Sequence, residues 1–142
     1  MGNQKLQETN IAVQWYVPNR VLYMVARGPL SEKDSTLADE RVACYLSQTT
    51  EHMHILIDIT RVQKVSTELF HMPQTVMRHP HINWIVTVGA SQNPIINFGI
   101  SALSVKSKIR YRDWPHMQAA LDVLQRMDST LPDLTDYHHR LV

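Results

Sequence analysis

Residues 54–60 read His-Ile-Leu-Ile-Asp-Ile-Thr. Ile55, Leu56, Ile57 and Ile59 flank one acid, Asp58, and leave no face for water. Successive side chains of an extended chain point to opposite sides, so this run predicts a strand buried on both faces. Asp58 then falls near its carboxyl end, where ligands and partners gather in open α/β sheets. Asp58 and Thr60, with Ser66, Thr67 and Glu68 in the loop beyond, are the first candidate site residues.

The flanking segments predict the rest of the architecture. Residues 11–17 and 20–27 are rich in β-branched and aromatic side chains and are separated by Pro18-Asn19. That pattern predicts an antiparallel hairpin, ended by Gly28-Pro29. Residues 31–35 supply helix-start side chains, and Ala38, Val42, Tyr45 and Leu46 share one helical face. Beyond the buried strand, Ser66 or Thr67 caps a second predicted helix, with Val65, Leu69, Met72 and Val76 on one side and Pro73 as a kink or break. Residues 82–88 predict a strand, and 89–93 a loop. Asn93-Pro94 opens a third predicted helix that runs to about Ser107. Residues 108–112 predict a short strand. Asp113 is expected to cap a last helix whose buried stripe is Met117, Ala120, Leu121 and Leu124.

The order β-β-α-β-α-β-α-β-α defines an α/β fold with a mixed five-stranded sheet and parallel crossovers. Residues 1–10 are expected to be a flexible segment, 11–127 the folded domain, and 128–142 a polar tail. A length of 142 residues suits one domain with a real core. A formal net charge of +1 supplies no global field for nucleic acid. The apolar runs fall short of the ~20 residues of a transmembrane segment. The sequence around Met1-Gly2 lacks the apolar core of a signal peptide, and the single cysteine, Cys44, permits no internal disulfide. A cytoplasmic protein is expected.

The hairpin, the strand Ile55-Leu56-Ile57-Asp58-Ile59-Thr60 with its following loop, and the strand at 82–88 together resemble the SpoIIAA-like branch of the STAS superfamily. That superfamily joins sulphate transporters and anti-sigma-factor antagonists. Tyr111-Arg112-Asp113 with Ala119-Ala120-Leu121-Asp122-Val123-Leu124 is similar to that branch's terminal helix. The resemblance covers residues 11–127 and lies in pattern and order. It implies a STAS-like domain acting as a regulatory or protein-interaction module. In phosphorylatable antagonists this loop carries Asp-Ser-Ser or Asp-Ser-Thr followed by Gly. Here Ser66 falls at the family's Asp, Thr67 at the first hydroxyl and Glu68 at the phosphorylated one, and the Gly is absent. Glu68 would place a permanent negative charge where a phosphate comes and goes, which argues against the standard switch. The SpoIIAA-like branch also brings lipid, other hydrophobic ligands and the membrane surface into consideration.

Other candidate chemistry has plainer readings beside it. Capping alone accounts for Asp58, Thr60, Ser66 and Thr67. His52 and His54, like His79 and His81, are two apart and would share a face of an extended chain. Zinc sites gather three or four ligands, so neither metal nor other cofactor is expected. Cys44, on an amphipathic helix, is read as a small packed residue. No G-x-S-x-G elbow or phosphate-cradling loop is present, and no enzyme is expected. Asp58 beside a histidine is the only catalytic seed. Lys106, Lys108, Arg110 and Arg112 alternate along the chain. They would face one way on a strand, to meet an anionic headgroup or an acidic partner, or to guard a sheet edge.

The third predicted helix is the least ordinary feature. Ile95, Ile96, Phe98, Gly99, Ile100, Ala102, Leu103 and Val105 surround only Asn97, Ser101 and Ser104 as polar breaks. One sheet contact needs a stripe of about 100°, and this arc is wider. The surplus predicts a second contact: a protein partner or homodimer, an apolar small molecule, the neighbouring Met72 to Met77 helix, or the 128–142 segment. Met72 and Met77 of the second predicted helix, with Ile96, Phe98 and Ile100 of the third, are the expected apolar contact residues, and a hydrophobic or lipid-like ligand between these helices is the alternative to a protein partner.

Overall fold

A computed structural model describes residues 9–65, 79–107 and 109–134. Strands β1 (Ile11–Val17) and β2 (Val21–Leu30) form the hairpin, with Ile11 opposite Ala26 and Val17 opposite Val21. Its turn is closed by the Arg20 N–H donating to the Val17 carbonyl at 3.0 Å, with Asn19 at φ 66°. Asparagine is one of the few residues that tolerate that region. Helix α1 (Glu32–Leu46) follows, then β3 (Met53–Val65), β4 (Ile82–Val88), a 3₁₀ turn at Ala90–Gln92, α2 (Pro94–Ser107), β5 (Arg110–Trp114) and α3 (Met117–Met127). The sheet order is β1-β2-β3-β4-β5. Only β1 with β2 is antiparallel; the other three pairs are parallel.

Helix α1 starts where the sequence predicts. Ser31 and Asp34 form a reciprocal capping box, and the second oxygen of Asp34 accepts from Thr9 Oγ1 at 2.8 Å and Asn10 N–H at 3.0 Å. Ala38, Val42 and Leu46 turn inward and Tyr45 is half-buried. Cys44 is exposed, not packed, because it lies off that face.

Strand β3 is covered on both sides. Ile55 packs with Leu22 and Ile85 under α1 and α2, while Leu56 packs with Val21 and Val86 under α3. Both are 0% exposed. Each such side chain contributes roughly 1.5–3 kcal/mol relative to exposure.

Several boundaries differ from expectation. Strand β2 passes through Gly28-Pro29 to Leu30, with Gly28 at φ 67° and a register shift between those two residues. Glycine's freedom at positive φ lets the strand kink without ending. Strand β3 runs five residues beyond Thr60, paired with β2 alone, while its pairing with β4 stops at Asp58 opposite Val88. Asp58 therefore marks where the central sheet ends, not where its strand ends. Lys106 belongs to the last turn of α2, so only Arg110 and Arg112 of the expected basic row share a strand face. Lys108 and the second predicted helix, with Ser66, Thr67, Glu68, Met72 and Met77, lie outside the described residues. Residues 128–134, expected as the start of a polar tail, bury Leu131 and Leu134 on the α3 side. They therefore cover the face opposite α2 and do not lie on its outer surface.

Gly89 joins β4 to the 3₁₀ turn at φ 88°. A Cβ there would lie 2.7 Å from Cγ2 of Thr60. Gly89→Ala combines a disfavoured backbone with that overlap and is expected to cost about 1–3 kcal/mol of unfolding free energy, read by urea denaturation. An unchanged midpoint would show that β3 and the turn separate freely.

Candidate functional site

The carboxyl edge of the central sheet, where sequence places the first candidates, is filled by its own backbone. One carboxylate oxygen of Asp58 accepts from both the N–H of Thr60 at 3.0 Å and its hydroxyl at 2.7 Å. No histidine hydrogen-bonds to Asp58 among the described residues. Beside it, Asp113 does not cap the last helix. It lies in β5 and accepts from Thr87 Oγ1 at 2.6 Å, Ala90 N–H at 2.7 Å and Ser91 N–H at 2.9 Å. It thus caps the 3₁₀ turn, and His116, without a side-chain cap bond, precedes α3. The Thr87 hydroxyl also meets Tyr111, whose phenol donates to Asn97 Oδ1 at 3.0 Å and so ties β4 and β5 to α2.

Among the described histidines, His52, His79 and His81 lie together and His54 stands apart. His54 faces the α3 side and is 0% exposed, whereas His52 precedes β3, is exposed, and lies edge-on to His81. The two do not share a strand face. The His81 N–H donates to His79 Nδ1 at 3.2 Å. Among the described residues no three His, Cys, Asp or Glu side chains are grouped to hold a metal ion.

His54 Nε2 lies 2.8 Å from Asp128 Oδ2, and the same oxygen takes a 2.8 Å bond from Arg20. Arg20 also donates to Thr130 Oγ1 and to the His52 carbonyl. Sequence reasoning misses this cluster, because its partners lie 74 and 108 residues apart. The only local sign is a polar residue at an inward position of a buried strand. His54 Nδ1 has no hydrogen-bond partner among the described residues. Burial lowers the His54 pKa against the opposing pull of Asp128. The neutral ring, with Nε2–H donating to Asp128, is the form that fits. Desolvation works to raise the pKa of Asp128, but hydrogen bonds from Thr130 and His54 outweigh it and hold the carboxyl at about 2. With His54 buried, the cluster clamps the sheet to residues 128–134.

The free surface lies elsewhere. On α2, Ile96 and Ile100 are 3% and 9% exposed and belong to the core, so they are not on the outward contact surface expected of them. Phe98 is 76% exposed, Val105 81% and Ile95 43%. With exposed Ala102 they recur at spacings of three and four residues and make one outward stripe roughly 15 Å long. Near the start of α2, a cleft of about 530 Å³ lies between Leu30, Val65 and Ile95, with Pro29, Gln63, Lys64 and Asn93 around it.

No protein-family model matches the chain. No curated protein matches it. Among solved structures it is similar to an uncharacterized protein of the DUF3478 family, with a SpoIIAA-like fold, from Shewanella loihica PV-4. The two share 16% sequence identity over 80% of this chain and 91% of that one, with a TM-score of 0.55. At that identity the likeness is one of fold. The chain adopts a SpoIIAA-like α/β fold, as its strand and helix order implies. No helix among the described residues is long and apolar enough to cross a membrane.

The clamp has a calculable pH signature. The folded-state pKa of His54 is depressed, so its contribution is present above about 6.5 and is lost as pH falls toward its lower folded value. Asp128 adds a second loss between its ordinary value of 3.8 and about 2. Asp128→Asn is expected to cost about 1–3 kcal/mol at pH 7. His54→Gln should flatten the stability profile just below pH 6.5. Urea titrations across pH 4–7.5 check both, and an unaltered slope in the His54 variant would remove His54 as its source.

Proposed function

We infer that this chain is a non-enzymatic STAS-like interaction or regulatory module, acting without a standard phosphorylatable switch. The outward stripe of α2 carries the reading. A helix that already buries Ile96 and Ile100 has no folding reason to expose Ile95, Phe98 and Val105 in a row. Contiguous exposed apolar surface marks interaction sites. The SpoIIAA-like fold, which commonly serves protein interactions, supports the same conclusion, and an exposed thiol at Cys44 suits a reducing compartment such as the cytoplasm. The partner is a protein with an apolar face, or a second copy of this chain. Thr67 and Glu68, which follow β3 in the sequence, would set its orientation.

A second reading is favoured by the cleft between Leu30, Val65 and Ile95. Its volume falls within the range of small-molecule sites, and its apolar walls suit a hydrophobic or lipid-like ligand.

Sedimentation combined with uptake of a hydrophobic fluorescent probe tests the first reading. The full chain should self-associate or bind the probe. Phe98→Ser with Val105→Ser should abolish most of that signal while leaving stability within about 0.5 kcal/mol, since both side chains are exposed. A monomer that takes up no probe sinks the proposal. Native mass spectrometry tests the second reading: a chain that retains no added mass and takes up no fatty-acid probe rules it out.

A further inference from the structure

Among the described residues, strand β5 is the outermost strand on its side of the sheet. Arg110 and Arg112 stand two residues apart on it and are exposed. Their guanidinium carbons lie 5.6 and 5.9 Å from the centre of the Trp84 ring on the adjacent strand. One indole is thus the floor for two cations. Among the described residues neither arginine is paired with a carboxylate. The acid nearest in sequence, Asp113, turns to the other face and is occupied by Thr87 and the 3₁₀ turn.

Charged residues on an edge strand ordinarily deter pairing. Two features point further here. Stacking on Trp84 holds both guanidiniums in place before any partner arrives, which lowers the entropy lost on binding. The pair is also selective by charge. A second copy of β5 would bring arginine against arginine, whereas an extended segment with acids at alternate positions would not. Alternate residues of a strand are roughly 7 Å apart, so such acids keep step with Arg110 and Arg112. Each guanidinium fork can take a carboxylate in two parallel hydrogen bonds.

We propose that β5 is a docking edge for an extended acidic segment of a partner protein, added as a sixth strand with alternate carboxylates on Arg110 and Arg112 above Trp84. This surface lies on the α3 side of the sheet, away from the α2 stripe. It stands or falls independently of the function proposed above.

The test is fluorescence anisotropy of the full chain with a labelled peptide that alternates glutamate with valine or threonine. A control peptide of the same composition carries its glutamates in one block. The alternating peptide should bind at least about 10-fold more tightly, and Arg110→Gln with Arg112→Gln should weaken it by at least about 10-fold. Both side chains are exposed, so circular dichroism should show that this variant folds. N-methylation of the peptide's alternate amides should abolish binding if it adds as a strand. Trp84→Phe, which keeps an aromatic floor, should weaken binding less than the double arginine variant. Equal binding of both peptides, full binding by the arginine variant, or tolerance of N-methylation would overturn the proposal. So would binding to phosphatidylserine vesicles without binding to the peptide, which would assign the arginines to an anionic lipid surface.

Discussion

The double burial of β3 is the constraint on which the rest depends. Ile55 and Leu56 are consecutive, both fully buried, and face opposite sides of the sheet. A strand with two apolar faces cannot rest on water on either side, so the chain must build two covering layers. Helices α1 and α2 form one, and α3 with residues 128–134 forms the other. This division also decides what each layer has to spare. The α3 side receives two elements and closes well enough to bury His54. On the α2 side, the helix buries Ile96 and Ile100 and exposes Ile95, Phe98 and Val105.

Much of the fold was legible because it depends on short-range rules. The hairpin, the buried strand and the strand at 82–88 follow from apolar runs broken by turn residues, and Ser31 with Asp34 announces α1. Boundaries failed where a local rule met a non-local one. Asp113 before a proline and an apolar run reads as a helix cap, but sheet pairing with Thr87 carries its carboxylate to a turn formed 22 residues earlier in the chain. The extension of β3 past Thr60 follows from pairing with β2, which no inspection of residues 60–65 alone reveals.

The candidate site was legible in outline and not in detail. The excess of apolar residues in α2 is plain from sequence. Which of them face outward depends on a rotation of about 100° between Ile95 and Ile96, which only the packed helix defines. His54 was visible as a polar residue in a buried strand, but nothing near it in sequence identifies Asp128 as its partner. The arginines of β5 were recognisable as a row. Trp84, which makes them a unit, became their neighbour only through strand pairing.

The strictly sequential sheet has a consequence for assembly. Each strand is laid beside the one made just before it, so strand pairing can proceed in the order of synthesis. The contacts to residues 128–134 break that order: Arg20 and His54 reach Asp128, and the Tyr16 hydroxyl donates to the Leu134 carbonyl across 118 residues. The first strand therefore waits for residues 128–134 before its face is covered. Until then Tyr16, Val21 and Leu56 lack part of their cover. A ribosome-bound chain would hold a nearly complete sheet with one oily side open, the interval in which a chaperone has most to protect.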